Sequence, residues 1–476
     1  MNRARNVLPD EASWLRIERA PGETLRAGLE RTLRDAIREG SLRAGIRLPS
    51  SRALASHLGV SRGVTSDVYA QLEAQGFLVV RSRSAPTVAD VPTPVEPTAP
   101  PAEPAARRPR FDMSASTPDL TLFPVGRWVR AVTRAARHAP GVALDYGDPR
   151  GDPGLRAVLA DHLGRTRGVV AEPERIVICQ GYRQGVDVLT RALTARGPVR
   201  VAVEDPSTPS QWELLALGGA HVAGCPVDEE GLEVERLDAD AVLVTPAHQM
   251  PTGVVLSGRR RRELLAWARE RPGLIVEDDY DAEFRYDREP VRALQGLDPE
   301  RVAYLGTVSK TLAPALRIGW LVLPEPLADE AARVKELMDR CSPVIDQIAL
   351  RHLIEDGDYD RHLRRARGVY HRRRDRLTDA LERHLPGLRV AGVTAGMHVL
   401  VHLPDGTDDA AVAQAALEMG VQVNPLSRSL LDRDDLTGLV LGYGRIADVA
   451  IDRATAVVAR AVKAAMSPAA SAGLMG

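Results

Sequence analysis

A proline-rich stretch between residues 86 and 109 divides the chain into two parts that must fold separately. The stretch reads PTVADVPTPVEPTAPPAEPAARRP and contains eight prolines. Proline fixes φ and removes a backbone N–H donor, so this stretch can form neither a helix nor the interior of a sheet. We therefore predict a semi-extended linker over residues 85–110, with a small unit before it and a much larger unit after it.

The part before the linker is predicted to form three helices and then a hairpin. ETLRAGLERTLRDAIREG places an apolar residue at every fourth position from Leu25 to Ile37, which indicates one amphipathic helix. Two shorter helices follow, with Ser50 and Ser61 as N-caps, and FLVVRSRSAPTVAD then indicates two short strands. This order predicts a winged helix-turn-helix over residues 13–84, although any three-helix bundle has the same periodicity.

The third helix carries most of the residues that we expect to meet DNA. In VSRGVTSDVYAQLEAQG, a buried face is predicted at Val64, Val68 and Leu72. Polar residues here and at the start of the second helix suit contacts with phosphates or base edges, and these are Arg52, Ser61, Arg62, Thr65 and Ser66.

The charge of the chain is unevenly distributed. Residues 1–85 hold 14 arginines and 9 acidic residues, a balance of +5 that leaves −6 for the remainder because the total is −1. A basic unit on an acidic body indicates a polyanionic partner. An arginine-rich solvated surface explains the same numbers, so the charge alone does not decide between the two.

Beyond the linker, strand and helix signals alternate. VRVAVEDP, AVLVTPAH, GLIVEDDY, RVAYLGT and GWLVLP are short runs rich in β-branched residues, and helical stretches such as RRRRELLAWARER separate them. This alternation predicts a doubly wound, mostly parallel sheet with a ligand site at the carboxyl ends of its strands. Long arginine-rich helices and two more strands follow, which predicts a smaller α+β lobe. We place the domain at residues 111–465, with a large lobe at about 140–345 and a small lobe at about 346–465.

Several classes of protein are excluded by composition. No apolar run approaches the ~20 residues that a membrane helix needs, and MNRARNVLPDEASW lacks the apolar stretch of a secretory signal. Cys179, Cys225 and Cys341 are scattered without CxxC spacing, so we expect neither a disulfide framework nor a metal site. A reducing cytoplasm is the simplest setting for such a chain.

Lysine is rare in this chain. The sequence has 63 lysines and arginines, of which only Lys310, Lys335 and Lys463 are lysine. Arginine keeps its proton at cellular pH, whereas a buried lysine can lose its proton and attack an aldehyde. Lys310 follows the strand VAYLGT in a stretch with few other charges, so it is a candidate Schiff-base lysine. Lys335 and Lys463 lie on amphipathic helices, where we expect solvated charges.

Polar residues near other strand ends support a pyridoxal phosphate site. VEDDYD places Asp278 and Tyr280 on one face of a strand end. A carboxylate there can keep a pyridine nitrogen protonated, and a phenol can bind the 3-oxygen of the ring. CQGYRQGVDVL offers a glycine turn before a helix, whose free N–H groups suit a phosphate. Acidic strand ends and glycine turns are each common in proteins. The prediction of a pyridoxal phosphate site therefore depends on their occurring together, in this order, at the ends of the predicted strands.

Five stretches together resemble the MocR family of bacterial transcription regulators, in which a GntR-family winged helix is fused to a fold-type I aminotransferase-like domain. These stretches are LPSSRALASHLGVSR, YGDPRGDPGLR, TPAHQMPTG, EDDYDAEFRYD and GTVSKTLAPALRIGW, and the resemblance covers nearly the whole chain. It implies that Lys310 bonds covalently to pyridoxal 5'-phosphate, that Asp278 pairs with the pyridine nitrogen and that Tyr280 reaches the 3-oxygen. The implied phosphate ligands are Thr307, Ser309, Arg317, Tyr182 and Arg183.

The resemblance also implies two macromolecular partners. Tyr146 would reach the cofactor phosphate of a partner subunit, which implies a homodimer, often head-to-tail in this family. The other partner is a double-stranded DNA operator, and the positions that match the usual contacts are Arg52, Ser61 and Arg62, with Arg81 and Arg83 on the wing.

Three positions depart from the aminotransferase pattern. Thr208 stands where the family usually stacks an aromatic residue on the pyridine ring, and Met250 replaces the asparagine before Pro-Thr-Gly. Val440 occupies the position of the arginine that binds the substrate carboxylate. Valine offers no bidentate cation, and Arg445 could substitute only if the strand end curls back. We therefore do not expect efficient transamination.

Four functions stay open after these observations. The first is a regulator for which pyridoxal phosphate itself is the signal, as in a PdxR-like group that controls vitamin B6 metabolism. The second is a regulator that senses an amino acid or amine, of the GABA, taurine or D-amino-acid type, through its external aldimine with the cofactor. The third is an active aminotransferase with an accessory DNA-binding domain. The fourth is an interaction protein that has lost the cofactor, which the retained Lys310 argues against.

Overall fold

The structure of the protein is a computed structural model with two compact units, Met1–Arg107 and Arg108–Gly476. It describes residues 17, 19–81, 84–91, 109–115, 117–195, 197–286, 291–392 and 394–466. Most of the predicted linker and Arg83 of the predicted wing lie outside the described residues. Within the described ranges, no helix is long and apolar enough to cross a membrane.

The first unit contains three helices and a two-stranded hairpin. These elements are α1 (Leu25–Arg38), α2 (Ser51–Leu58), α3 (Arg62–Ala74), β1 (Leu78–Val79) and β2 (Thr87–Val88). The two strands pair antiparallel, with Leu78 opposite Val88. This is the predicted order of a winged helix-turn-helix. Strand β2 lies beyond residue 84, so the unit extends past its predicted boundary and into the predicted linker.

Capping and an apolar stripe explain why these helices form where they do. The hydroxyl groups of Ser50 and Ser61 accept hydrogen bonds from Ala53 N (3.2 Å) and Val64 N (3.4 Å), which confirms both predicted N-caps. The core of the unit joins buried residues of α1 and α3 to the hairpin, including Leu29, Leu33, Ile37, Val68, Leu72 and Val88.

The second unit opens with β3 (Phe111–Asp112) and contains ten further helices among the described residues. Five of them lie before residue 271 of the chain: α4 (Val125–His138), α5 (Pro153–Arg167), α6 (Tyr182–Thr194), α7 (Pro209–Leu217) and α8 (Gly258–Glu270). The other five follow the large sheet: α9 (Glu325–Asp339), α10 (Val344–Glu355), α11 (Asp358–His384), α12 (Asp409–Glu418) and α13 (Ile451–Met466).

An eight-stranded sheet forms the centre of this unit. Its strands are β4 (Ile176–Cys179), β5 (Arg200–Asp205), β6 (His221–Asp228), β7 (Gly231–Leu232), β8 (Ala241–Val244), β9 (Leu274–Asp279), β10 (Val302–Thr307) and β11 (Gly319–Val322). They lie in the order β4-β11-β10-β9-β8-β5-β6-β7. The five from β10 to β6 run parallel, while β11 is antiparallel to β10 and to β4. The sheet is thus doubly wound and mostly parallel, as predicted.

A smaller four-stranded sheet lies in the C-terminal part, in the order β12-β13-β16-β15. Its strands are β12 (Val390–Ala391), β13 (His398–His402), β15 (Asn424–Pro425) and β16 (Gly438–Gly442), while β14 (Val421–Gln422) pairs with β3. This is the predicted α+β lobe. The pairing of β14 with β3 means that the first strand after the linker belongs with this lobe.

The parallel register brings the predicted site residues to one edge of the large sheet. Asp278 of β9 lies opposite Leu305 of β10, and both strands end at that edge within two residues. Parallel strands of this kind are buried on both faces, which fits their nearly continuous apolar runs. Polar groups can therefore meet a ligand only at the strand ends.

Candidate functional site

The first unit presents two arginines at the amino ends of its second and third helices. Arg52 lies on the first turn of α2, Arg62 is the first residue of α3, and both side chains are exposed. Ser61 is exposed as well, although its hydroxyl already caps α3, and Ser66 is half-buried. Arg81 is exposed after β1. Exposed cations at the start of a recognition helix suit contacts with phosphates and base edges.

Thr65 is wrongly predicted as a DNA contact. Its side chain is 0% exposed, and its hydroxyl donates to Ser51 O (2.8 Å) and to Arg62 O (3.0 Å). The buried stripe of α3 runs through Thr65, Val68, Tyr69 and Leu72, while Val64 is only half-buried. The stripe is rotated from the predicted one because the threonine hydroxyl finds its partners inside the unit, where it ties α3 to α2.

A cavity of about 340 Å³ opens at the carboxyl edge of the large sheet. Eight of the nine predicted cofactor residues line it: Lys310, Asp278, Tyr280, Thr307, Ser309, Arg317, Tyr182 and Arg183. These residues come from three separate stretches of the sequence, CQGYRQGVDVL, VEDDYD and GTVSKTLAPALRIGW. The remaining lining residues are Ala115, Thr208, Ser210, Gln211, Met250 and Pro314.

Asp278 is a buried carboxyl group that retains an unused acceptor. Its Oδ2 accepts a hydrogen bond from Gln211 Nε2 at 3.2 Å, while its Oδ1 makes no hydrogen bond to the described residues. Burial, reinforced by the neighbouring carboxylate of Asp279, raises the pKa of Asp278 to about 8. A cationic N–H donor placed against this group would therefore be strongly favoured.

Tyr280 is held by a small buried network. Its hydroxyl donates to His248 O at 3.0 Å and lies 3.2 Å from His248 Nδ1, which in turn lies 3.1 Å from Asp281 Oδ2. His398 packs against His248, so three possible metal-ligating atoms lie within 4.8 Å of one another. His248 Nδ1 thus links the Tyr280 phenol to Asp281, while His248 Nε2 makes no hydrogen bond to the described residues.

Lys310 lies on the turn after β10 and lines the cavity. Burial lowers the pKa of its ammonium group, and the carboxylates of Asp281 and Asp278 oppose that shift. A lowered pKa increases the fraction of neutral amine, which is the form that attacks a carbonyl carbon.

The cavity wall beside Lys310 combines hydroxyl groups, a guanidinium group and a helix amino end. Thr307 Oγ1 donates to Ser309 Oγ (2.9 Å), and both side chains are nearly buried. Arg317 has φ +52° and donates from Nη2 to Gln180 O at 2.7 Å. Gly181 precedes α6 with φ +77°, and a Cβ there would lie 2.9 Å from the Arg317 guanidinium, so only glycine fits. This wall is suited to a phosphate group.

Gln211 is a site residue that the sequence analysis missed. It lies on α7 and is almost fully buried against Asp278. Glutamine is common on helices, so its type carried no signal; its place after the segment EDPSTPS, where an aromatic residue is expected, was the only hint. Thr208 and Met250 both line the cavity, so two of the three departures from the aminotransferase pattern lie in the cavity wall.

The third departure removes a cation from the vicinity of the cavity. Val440 is 1% exposed and packs with Leu400 and Leu426, and the half-buried Ala115 connects this cluster to the cavity wall. Arg445 is directed elsewhere, because its Nη1 lies 2.9 Å from Asp112 Oδ2. Among the residues that the structure describes, the cations that line the cavity are Arg183, Lys310 and Arg317.

Tyr146 does not line this cavity, and it is 75% exposed. The guanidinium of Arg340 lies 4.8 Å from the centroid of its ring. The predicted contact with a partner subunit stays a prediction.

Lys335 is wrongly predicted as a solvated charge. Its side chain on α9 is 0% exposed, and its Nζ lies 2.7 Å from Asp339 Oδ1. Lys463 is exposed on α13, as predicted. The helical pattern could not reveal the difference, because Asp339, which pairs with Lys335, is itself held by Gln180 and Gln184 from a distant part of the chain.

Known proteins resemble both units of the chain. The model of the family "Bacterial regulatory proteins, gntR family" matches residues 25–88, and that of "Aminotransferase class I and II" matches residues 111–446. The crystal structure of kynurenine aminotransferase from Pyrococcus horikoshii has a TM-score of 0.70 and 28% identity, and the match covers 75% of this chain and 91% of that one.

Two curated relatives cover both units. The probable rhizopine catabolism regulatory protein MocR of Rhizobium meliloti is 34% identical over 87% of this chain and 89% of its own length. The pyridoxine biosynthesis transcriptional regulator PdxR of Corynebacterium glutamicum is 33% identical over 87% of this chain and 91% of its own length.

Proposed function

The chain belongs to the MocR-type regulators of the GntR family, and we propose that it is a DNA-binding regulator that binds pyridoxal 5'-phosphate through Lys310. One observation carries the proposal: a single cavity gathers a lysine of lowered pKa, a buried carboxyl group with an unused acceptor and a phosphate-type wall. Shifted pKa values also occur in purely structural ion pairs, but those pairs do not require a cavity and a phosphate-type wall beside them.

Two features of the cavity suit the cofactor. The unpartnered Asp278 Oδ1 offers an acceptor for a pyridinium N–H, and the absence of a Cβ at Gly181 leaves room beside Arg317. When bound, pyridoxal phosphate supplies an aldehyde that condenses with an amine and a ring that withdraws electrons.

Each residue of the chain has a separate task in this proposal. Lys310 provides the amine, and its lowered pKa keeps part of it neutral. The Asp278 carboxylate would accept a hydrogen bond from the ring N–H and so keep the ring nitrogen protonated, while Gln211 orients that carboxylate. Tyr280 donates toward the 3-oxygen once it exchanges the carbonyl of His248 for the ring. The phosphate is bound by Thr307, Ser309, Arg317, Tyr182 and Arg183, and Tyr146 would reach the phosphate bound by a partner subunit.

We further propose that the cofactor itself is the signal and that the regulated genes serve vitamin B6 metabolism. The three cations of the cavity are all assigned to the cofactor, and Val440 provides none for a substrate carboxylate. The name of the PdxR relative is consistent with this role. A regulator that responds to an amine is the second candidate, because Ala115, Thr208, Ser210 and Met250 line cavity wall that no cofactor contact requires.

The assignment of Lys310 is tested by visible absorbance. Purified full-length protein titrated with pyridoxal phosphate should acquire the absorbance band of a lysine-bound cofactor. Lys310→Ala should abolish the band, and Lys463→Ala is the matched control because this lysine is exposed on α13. A band that persists in Lys310→Ala contradicts the proposal.

A further inference from the structure

A second lysine is buried behind the phosphate-type wall. Lys335 is 0% exposed, whereas lysines are almost never fully buried unless paired. Its Nζ lies 2.7 and 3.0 Å from the two carboxylate oxygens of Asp339, one turn further along α9. Surface pairs with this spacing contribute little. A pair whose cation is withdrawn from water is tolerated only where its geometry and additional hydrogen bonds are good.

Asp339 connects this ion pair to the turn before α6. Its Oδ2 accepts hydrogen bonds from Gln180 Nε2 (3.0 Å) and Gln184 Nε2 (2.7 Å). Gln184 then closes a ring, because its Oε1 accepts from the backbone N–H of Gln180 at 2.7 Å. Two glutamine side chains and one backbone amide are thus oriented by a single carboxylate, which Lys335 holds in place.

The same turn forms the cavity wall on its other side. The carbonyl oxygen of Gln180 accepts the 2.7 Å hydrogen bond from Arg317, and Gly181 lies against the guanidinium. Tyr182 and Arg183, the first residues of α6, line the cavity. A change in the turn would therefore move both Arg317 and the amino end of α6, which are the groups assigned to the phosphate.

We propose that Lys335 and Asp339 are positioning residues for the phosphate-binding turn at residues 180–184. The inference rests on the proposed function and adds two residues outside the cavity lining to it. The ion pair is neutral as a whole, so it acts through geometry. Its removal should weaken recognition of the phosphate and spare recognition of the ring and aldehyde. Lysine suits the position because its ammonium is a compact charge, whereas arginine is longer and planar.

The test compares two ligands that differ only in the phosphate. A double variant, Lys335→Met with Asp339→Asn, avoids leaving one buried charge without its partner. Full-length protein is titrated with pyridoxal 5'-phosphate and with pyridoxal, and the lysine-bound absorbance band is followed. We expect affinity for pyridoxal phosphate to fall about tenfold or more, as for the loss of one or two hydrogen bonds. Affinity for pyridoxal should change less than about twofold, within the scatter of a surface substitution.

Arg333→Met is the matched control on the same helix. Arg333 pairs with Glu330 on the exposed side of α9, and its removal should leave both affinities unchanged. A second readout needs no cofactor: amide hydrogen exchange in the turn at residues 180–184 should accelerate in the unliganded double variant and not in Arg333→Met.

The outcomes separate this inference from the proposed function. The positioning role would be overturned if the double variant lost affinity equally for the two ligands, or lost affinity for neither. It would also be overturned if amide exchange in the turn were unchanged. None of these results would contradict the assignment of Lys310. A wild-type protein that forms no band with pyridoxal phosphate would overturn the proposed function, and the inference with it.

Discussion

Asp278 shows how one buried residue makes the unliganded protein sensitive to pH. Its pKa is raised to about 8 by burial and by the nearby Asp279, so the folded state favours its protonated form. The unfolded chain ionises the same group near its ordinary value of about 4. Below that value both states are protonated and nothing is lost. As pH rises from about 4 to about 8, ionisation increasingly favours the unfolded state.

We therefore predict that Asp278→Asn stabilises the unliganded protein more at pH 8.5 than at pH 5. Each unit of pKa shift corresponds to about 1.4 kcal/mol, so the difference should reach a few kcal/mol. Thermal unfolding of wild type and variant at both pH values measures it, and Asp238→Asn, in an exposed pair with Arg200, is the control. A variant whose advantage is the same at both pH values contradicts the raised pKa.

Residue types at strand ends could be predicted, but contacts between distant segments could not. Lys310, Asp278 and Tyr280 were found because their chemistry and their place after apolar runs coincide. Gln211 was missed because its partner Asp278 lies on another element, and the burial of Lys335 was missed because its partner Asp339 is itself held by Gln180 and Gln184 from a distant segment. In the sequence, a lysine on an amphipathic helix looks the same whether its side chain is solvated or buried against Asp339.

At the scale of elements, helix α3 shows a buried face that the periodicity predicted only in part: Val68 and Leu72 are buried as expected, but Thr65 is buried where Val64 was expected. The elements themselves follow from N-caps and apolar spacing, which are local signals. The side of α3 that faces α2 depends on where the hydroxyl of Thr65 finds acceptors, and these lie in α2 and in the first turn of α3. The rest of the unit's apolar core agrees with the predicted helices.

Arg62 and Thr65 should consequently give opposite phenotypes although they are one helical turn apart. Arg62→Ala should weaken operator binding by about 1–3 kcal/mol if it reads a base, with little change in stability. Thr65→Val should lower the free energy of unfolding of the first unit by about 1 kcal/mol through its lost hydrogen bonds. Operator titration and thermal unfolding of the full chain measure both effects. If Thr65→Val bound the operator more weakly while its free energy of unfolding was unchanged, Thr65 would be a DNA contact after all.

For the whole molecule, the charge of each part sets the conditions for binding. Residues 1–85 have a charge of +5 and the remainder −6, so electrostatic attraction to DNA is concentrated in the first unit. Contacts with phosphates release counterions, and affinity for the operator should therefore fall steeply as salt increases. Any comparison of ligand states must be made at one salt concentration.

The last prediction concerns which ligand changes DNA binding. With Val440 in an apolar cluster and Arg445 paired to Asp112, a carboxylate in the cavity would lack a dedicated cation, which is strongly disfavoured. Common α-amino acids should then hardly change the spectrum of the cofactor-bound protein. Pyridoxal phosphate alone should change operator affinity about tenfold, which requires a preference of only about 1.4 kcal/mol for one arrangement of the protein.

Measurements of operator affinity decide between the cofactor-sensing and the amine-sensing candidate. They compare the unliganded protein, the protein with pyridoxal phosphate, and the protein with pyridoxal phosphate and each of a panel of amines. Lys310→Ala should lose the response to the cofactor while retaining the affinity of the unliganded protein, because it leaves the first unit unchanged. If the cofactor alone has no effect and one amine changes affinity tenfold, the amine-sensing candidate is correct. If that effector also carries a carboxylate, Arg445 is the first residue to substitute, since its release from Asp112 would free a cation for that carboxylate.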